Sequence, residues 1–455
     1  MGRAAAPGAI LLLLFFQPRL SSVEAASPVC NACRVFSFGS NTFGQTGLGS
    51  DSGDTLIPTP IDTSHLVGKT VTQVAAGGAG SESHTLLLAS DGTVFSFGTN
   101  QVGRTGLGIT TGNTLVATPI DTTNLSGTTI IQIAASGFAS FLLADDGKVF
   151  GFGPNSDIGI GSLTGVTSVA TPINMTNLGG RKVVQVSAGA DHTLLLADDG
   201  SVFSFGFDGE ARTGLGFSND FSATLIPTPI VATNLGGKKI KQIAAGGTQS
   251  LLLADDGTVF SFGWNGFGAT GLGFADTSSS AVIATPINTQ NLAGKKIKQI
   301  ADAGGHSLLL ADDGTVFSFG DNSQGATGLD IDTGRTSIAT PISLTNLGGR
   351  KVVDLATGAG HTLLLASDGT VFSFGWNNNG RTGMGTSIGS TLIAMPIDMT
   401  NLAGLRVTRV TAGWNDSFLL AVPEPSSIAL TIVGSIGGVL LLALRRRSIY
   451  HNNGC

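Results

Sequence analysis

Around Ile240 the hydrophobic period of the chain changes from one short segment to the next. Lys239-Ile-Lys-Gln-Ile-Ala-Ala245 alternates polar and apolar side chains, the pattern of a strand with one buried face. Leu251-Leu-Leu-Ala254 is continuously apolar, which fits a strand buried on both faces. Asp255-Asp-Gly257 is a tight-turn sequence, and Thr258-Val-Phe-Ser-Phe262 after it reads as a third strand. A long Gly-rich loop separates this hairpin from a short fourth strand at Thr285-Pro-Ile287. Proline is tolerated there only at a sheet edge, because it has no N–H to donate.

The same succession recurs along the chain. Phe36-Ser-Phe-Gly39 returns at Phe95, Phe150, Phe203, Phe260, Phe317 and Phe372, with Gly151 replacing Ser in the third copy. Successive first Phe residues are 59, 55, 53, 57, 57 and 55 residues apart. A unit of that length cannot bury its own apolar face and must stack on its neighbours. Four antiparallel strands per unit, repeated seven times, predict an all-β, seven-bladed propeller over residues 34–421. The body starts on a third strand, Arg34 to Phe38, and ends on a second strand, Phe418 to Ala421. Pairing those two in one blade would remove the exposed edges of an open array.

Both ends of the chain fall outside the repeat. Ala9 to Phe16 is an apolar run behind Arg3, with small residues near Ala25. It reads as a secretory signal peptide over residues 1–26, followed by a short lead-in at 27–33. Residues 426–444 are uncharged and, as a helix, would reach about 28 Å, close to the hydrocarbon thickness of a bilayer. Arg445, Arg446 and Arg447 would hold that end on the cytoplasmic side and leave the repeats outside the membrane. Pro423, Glu424 and Pro425 stand directly before the span. Pro-Glu-Pro, an apolar segment and an arginine cluster together resemble the PEP-CTERM sorting signal over residues 422–447. That resemblance implies handling by an exosortase-type enzyme and delivery to the cell surface or extracellular matrix. The additional tail at 448–455 departs from the pattern, and a plain single-span anchor would also fit the apolar segment.

The repeats resemble the regulator of chromosome condensation family of seven-bladed propellers. The matching residues are Ala188-Gly-Ala-Asp-His192 and its counterparts, the Asp-Gly hairpins, Phe-Ser-Phe-Gly, and the Asn-x-x-Gly-x-Thr-Gly-Leu-Gly that follows. The resemblance implies the fold and leaves activity open, since one scaffold hosts unrelated functions. The family's nucleotide exchange factor carries a wedge-like insertion in one blade, and the even repeat lengths here leave no room for one. Its plant ultraviolet-B photoreceptor carries Trp repeatedly after the Ala-Gly pairs, where this chain has Trp414 alone.

Charge divides the two faces. Asp145-Asp146, Asp198-Asp199, Asp255-Asp256 and Asp312-Asp313 share the hairpin face with Lys182, Lys238-Lys239, Lys295-Lys296 and Lys351, which reads as a self-neutralising solvated rim. The net charge is −6, and the only basic tract lies at the extreme C-terminus, so nucleic acid is not an expected partner. The long-loop face reads as poor in charge and richer in aromatics.

Within the long loops, Asn41, Asn100, Asn155, Asp208, Asn265, Asn322 and Asn377 hold one fixed position, read as an Asx-turn element. The positions around it vary, and variable side chains on a fixed frame are where binding specificity is written. Trp264, Trp376, Trp414, Phe43, Phe207 and Phe267 either form a discontinuous platform for sugars or a protein, or pack into neighbouring blades. Arg104, Arg212 and Arg381 share one loop position, where they either contact acidic sugars or pair locally.

Other chemistry is sparse. His84, His192, His306 and His361 occupy one repeat position and cannot converge radially on an ion at about 2 Å; hydrogen bonding to a turn backbone is the expected role. Asp330-Ile-Asp332 lacks the ligand count of a calcium loop. Cys30 and Cys33 suit a small disulfide, whereas zinc would need a second pair and heme attachment a His in place of Arg34. No metal, cofactor or catalytic constellation is expected.

The leading expectation is a non-enzymatic surface or matrix protein that binds a polysaccharide or protein through its long-loop face. A secreted enzyme inhibitor is the alternative. Exchange activity by family analogy, or a hydrolase with carboxylates gathered in the channel, ranks lower.

Overall fold

The computed structural model describes residues 33–424, apart from 81, 126, 218–222, 276–279 and 332–333. The strands form seven four-stranded antiparallel sheets. Blades 1 to 6 are continuous in sequence, at residues 71–119, 130–172, 183–229, 240–286, 297–341 and 352–396. Blade 7 is composite. Leu405–Ala412 and Asp416–Pro423 supply its two inner strands, and Arg34–Gly39 and Thr55–Pro60 its two outer ones. The closing ladder pairs Val35 with Leu420 and Ser37 with Phe418, as the phase of the repeat predicts.

Alternation explains why the blades stack. Both Phe residues of each repeat word are buried, and each apolar cluster is shared by two neighbouring blades. Phe141 of blade 2 meets Phe205 of blade 3 edge-on, with centroids 5.7 Å apart. Blade 7 is sealed on both sides: Phe36 and Phe38 pack with Leu363 and Leu365 of blade 6, and Val35 and Phe418 with Leu87 and Phe97 of blade 1.

The outer strands are longer than the sequence suggests. In blade 4 the outer strand is Ser280–Pro286 and begins inside the long loop. It reaches that length through a bulge, since Ser261 pairs with Thr285 but Gly263 with Ala281. The last Gly of the repeat word makes the bulge possible. Gly263 has φ +107°, and a Cβ there would lie 2.4 Å from the Thr248 carbonyl oxygen.

At the C-terminal end, Pro423 is still strand, opposite Leu405, and the Glu424 N–H donates to the Gly404 carbonyl. The body therefore runs past residue 421 into the Pro-Glu-Pro segment. Pro425, the apolar span 426–444 expected to be helical, Arg445, Arg446 and Arg447 lie outside the described residues. So do residues 1–26, expected to form a signal peptide, and Cys30, the expected bonding partner of Cys33. Among the described residues no helix is long and apolar enough to cross a membrane.

Candidate functional site on the long-loop face

Each long loop is built on two ties. The Ser of the repeat word is buried and donates to a Thr carbonyl nine residues on: Ser96 to Thr105 at 2.6 Å, Ser204 to Thr213 at 2.6 Å and Ser373 to Thr382 at 2.6 Å. The fixed Asn is a clamp rather than an Asx-turn. Asn100 accepts the Thr105 N–H at 3.2 Å and donates from Nδ2 to the Ile109 carbonyl at 3.1 Å, so it holds both halves of its loop. Asn322 and Asn377 make the same two bonds. Blade 2 shows the first tie replaced as a unit. Ile158 packs at the base of its shorter loop, and Gly151 stands where Ser would be because a Cβ there would lie 2.9 Å from the Ile158 Cβ.

Two residues after the clamp, Val102, Glu210, Phe267, Gln324 and Asn379 all have φ between 57° and 66°. This left-handed turn fixes the backbone while the side chain varies, which makes the position a display site on a rigid frame.

The arginines are interior ties. Arg104, Arg212 and Arg381 are 1%, 6% and 1% exposed. Each donates from Nε to a carbonyl in its own loop: Gln101 at 3.0 Å, Gly209 at 2.8 Å and Asn378 at 2.9 Å. Each also reaches an inner-turn carbonyl of the next blade, at Gly137, Gly247 and Trp414. Each guanidinium lies over a ring, Phe138 at 5.2 Å, Phe207 at 5.3 Å and Trp376 at 4.3 Å. Burial pushes the Arg381 guanidinium down to about 10, against the opposing pull of Asp416 and Asp54. These side chains hold aromatics in place and are not themselves presented to solvent.

The aromatics are distributed around the face. Phe43, Phe207, Trp264, Trp376 and Trp414 are half-buried, and Phe267 is 39% exposed. Trp264 and Phe267 meet edge-to-face at 5.3 Å. The two tryptophans of the third strands, Trp264 and Trp376, are separated by blade 5, which has Asp321 at that position. Trp414 lies at the hub instead, lining the mouth of the central channel.

That channel mouth has a volume of about 120 Å³ and is walled by the inner turns of the blades. Beneath it the inner strands are laced by amides. Gln132 Nε2 donates to the Val186 carbonyl at 3.1 Å while its Oε1 accepts the Val186 N–H at 2.9 Å, and Gln185 repeats this on Ile243. One wall position is Ala76, Ala135, Ala188, Ala245 and Ala412 in five blades, but Asp302 and Thr357 in blades 5 and 6. Asp302 is 9% exposed; Oδ1 accepts from Gln249 Nε2 at 2.8 Å and Ser307 Oγ at 2.9 Å, while Oδ2 has no partner. Burial raises its carboxyl well above the ordinary range. Comparing the repeats for breaks in an otherwise alanine position would have found Asp302; the search for paired carboxylates did not.

The histidines bond across blades rather than to a turn backbone. Nε2 of His84, His192 and His361 lies 2.7, 2.7 and 2.8 Å from the hydroxyls of Ser140, Ser250 and Ser417. Burial depresses His84 and His192 to about 3, which keeps both rings neutral. Among the described residues no group of three or more His, Cys, Asp or Glu could hold a metal ion.

The long-loop face carries acids of two kinds, those paired with the loop arginines and those that stand at the surface. Asp51, Asp54 and Asp330 are exposed, and Glu82, Asp157, Asp191, Glu210 and Asp321 are partly so; Arg335 is the exposed base among them. Arg104 pairs with Glu82 at 3.3 Å, and Arg212 with Asp191 at 2.9 Å and Glu210 at 3.1 Å, so three of these acids are neutralised by the buried arginines. The opposite face balances itself. Lys69 pairs with Asp91, Arg181 with Asp199, Lys238 with Asp256, Lys295 with Asp313 and Arg350 with Asp368. The Asp of each pair also accepts an N–H two residues on, as Thr258 to Asp256 at 2.9 Å.

Seven like blades, laced at the hub and closed by pairing Arg34–Gly39 with Asp416–Ala421, define a repeat propeller with one variable, rigidly framed face. The family profile of the RCC1-like domain matches residues 34–419, and the chain belongs to that family. It is 28% identical over 355 residues to the ultraviolet-B receptor UVR8 of Arabidopsis thaliana, covering 78% of this chain and 75% of the receptor. It is 29% identical over 403 residues to the E3 ubiquitin-protein ligase HERC2 of Homo sapiens, covering 88% of this chain but spanning only 8% of the ligase. The fold is shared with Prp20p of Saccharomyces cerevisiae at a TM-score of 0.77 and 22% identity, covering 90% of this chain and 96% of that one. Human WBSCR16 shares it at a TM-score of 0.74 and 23% identity, covering 87% and 100%.

Proposed function

We propose that this protein is an exported, surface- or matrix-associated propeller that binds a protein or polysaccharide through its long-loop face. One observation carries the reading. Phe207, Trp264 and Trp376 end third strands and Phe267 stands on the loop that follows, all partly exposed beside framing residues that repeat from blade to blade, while the opposite face neutralises itself in ion pairs. Rigid, half-exposed rings lose little entropy on binding and present large contact areas. Relatives favour a protein partner, since Prp20p was described by its binding to Gsp1p and histones. Export rests on the apolar N-terminal run and on Pro423, Glu424 and Pro425 before the apolar span. In the precursor that span would hold the chain in the membrane until an exosortase-type enzyme acts.

The test is a pull-down from extracellular extracts, with protein and polysaccharide fractions kept apart. Trp264→Ala with Trp376→Ala should lose the captured partner, and Lys238→Ala with Asp255→Ala should retain it. The reverse pattern would move the function to the hairpin face.

A further inference from the structure

We infer that the binding site of the long-loop face is centred on blade 4, where Trp264, Phe267 and Phe274 receive an uncharged aliphatic side chain, leucine or isoleucine, from a segment of a partner protein. The inference rests on the reading of that face as the binding surface. It adds one blade and the chemistry of the occupant.

Comparison of the repeats singles out blade 4. Three positions around each clamp vary: the residue before it, the left-handed residue two after it, and the residue nine after it. In blade 4 all three are aromatic. Trp264 and Phe267 flank Asn265, whose Nδ2 donates to the Phe274 carbonyl at 3.0 Å. Blade 3 has Phe207, Glu210 and Phe217 at these positions, and blade 6 has Trp376, Asn379 and Thr386. Phe274 is 53% exposed. The ring planes of Trp264 and Phe267 stand at 89°, so the two form a corner rather than a flat platform.

The loop is shaped to hold these rings. The residue after the clamp is glycine in blades 3 and 4 alone, and there Phe207 and Trp264 lie back over it; a Cβ at Gly266 would run into the indole. In blade 6 that residue is Asn378, and Trp376 lies over Arg381 instead. Blade 4 has Ala269 where the arginine would be, and residues 264–275 carry no charged side chain. Phe267 holds φ +57°, a sparsely populated conformation for a bulky residue, which the folded loop imposes on it.

The chemistry of the corner selects an aliphatic side chain over a sugar. A sugar ring brings hydroxyls that need donors and acceptors once water is displaced. The loop has few to give. Asn265 and Thr270 are buried, and the Asn265 Oδ1 accepts from both the N–H and the hydroxyl of Thr270. A charged side chain would find no counter-ion within residues 264–275. An aliphatic side chain needs neither, gains from contact with the rings, and leaves the peptide groups of its own segment in water.

The experiment is panning of a displayed random heptapeptide library against the full chain, purified in mild detergent. Enriched peptides are then titrated calorimetrically, and an array of neutral glycans is probed in parallel. The peptides are expected to be uncharged and to carry leucine or isoleucine, and exchanging that residue for serine should abolish binding. Phe267→Asn and Phe274→Thr should each weaken them about tenfold or more. Both substitutions install what blade 6 carries at those positions, Asn379 and Thr386, so the loop frame is kept. Lys238→Ala on the hairpin face should leave the affinity unchanged. Enrichment of charged peptides, or no enrichment, would overturn the inference. Capture of a neutral glycan that is lost in the same two variants would keep the site on blade 4 and make its occupant a sugar. Loss of the peptides on Trp376→Ala but not on Phe267→Asn would leave the binding face standing and remove blade 4 from it. Unchanged affinity in all three ring variants would overturn both readings.

Discussion

Gly39 lies directly opposite Asp416 in the ladder that closes the ring, and a Cβ at position 39 would stand 2.6 Å from the Asp416 Cα. The same glycine, at φ +114°, would meet the Asn415 carbonyl oxygen at 2.4 Å. Every blade has this crowding, as Gly98 against Ser83 and His84 shows. In blade 7, however, the two crowded strands come from opposite ends of the chain. Strain there can be relieved by letting the N-terminal strands detach.

Gly39→Ala should therefore cost about 1–3 kcal/mol, as backbone strain of this kind does. It should also expose the edge of Asp416–Pro423 to pairing with other chains. Gly98→Ala should carry a comparable strain without the aggregation. Urea unfolding gives the first quantity and light scattering the second. Equal aggregation of both variants would mean that the closing ladder is no weaker than an internal one.

Asp416 also makes stability depend on pH. It is fully buried, neither of its carboxyl oxygens has a partner, and burial raises the group to about 8, only partly opposed by Arg381. Between pH 4 and 8 the folded chain then holds a proton that the unfolded chain has released. Stability from this group should fall as pH rises across that window, at up to about 1.4 kcal/mol per pH unit. Asp302, raised in the same direction, adds to the trend. Asp416→Asn should flatten the profile and stabilise the protein most at pH 8. Denaturant midpoints at pH 5, 6, 7 and 8 provide the check, and parallel profiles for the two proteins would show that Asp416 is charged throughout.

The buried arginines make a third case. Arg381→Ala removes donors from the Asn378 and Trp414 carbonyls and the cation from beneath the Trp376 ring. The orphaned carbonyls and lost ring contact should together cost about 2–4 kcal/mol. Arg381→Lys should recover less than half, since an ammonium cannot span carbonyls in two blades and cover a ring at once. Thermal melts of the two variants decide this. A wild-type melting curve for Arg381→Ala would return the arginine to the surface role that its sequence position leaves open.

Ring closure is legible in the sequence because the repeat is phased. A repeat body that opens on Arg34 to Phe38 and ends on Phe418 to Ala421 lacks one half of a blade at each end, and the halves are complementary. What the pattern hides is whatever crosses between blades. Arg104 reads as a loop arginine because its inner-turn acceptor, Gly137, lies 33 residues away in the next blade. His192 reads as a turn residue for the same reason, its partner Ser250 being 58 residues on. Asn100 sits where an Asx-turn would, but its acceptor and donor contacts fall five and nine residues later, which only the folded loop brings together. The alternative that the loop arginines pair locally holds for Arg104 with Glu82 and Arg212 with Asp191, partners 22 and 21 residues away that only the folded blade brings together.

The end of the body bears on processing. Pro423 pairs with Leu405, and the Glu424 N–H donates to the Gly404 carbonyl at 3.3 Å, so two residues of the Pro-Glu-Pro segment are fastened to blade 7. An enzyme that removes the apolar span needs only the chain beyond Glu424, and the ladder that closes the ring, Arg34 to Gly39 against Asp416 to Ala421, is complete before that point. A chain ending at Glu424 should therefore melt like the mature protein. One ending at Asn415 loses the whole second strand of blade 7 and should not fold. If the Pro-Glu-Pro segment directs processing, mature protein from producing cells should lack residues 426–444, and replacing Pro423, Glu424 and Pro425 by Ala should leave the span attached while the propeller still forms. Mass spectrometry of the surface fraction reads this directly. A mature C-terminus at Cys455 would make residues 426–444 a permanent anchor, with Pro423 and Glu424 serving only to finish the last strand.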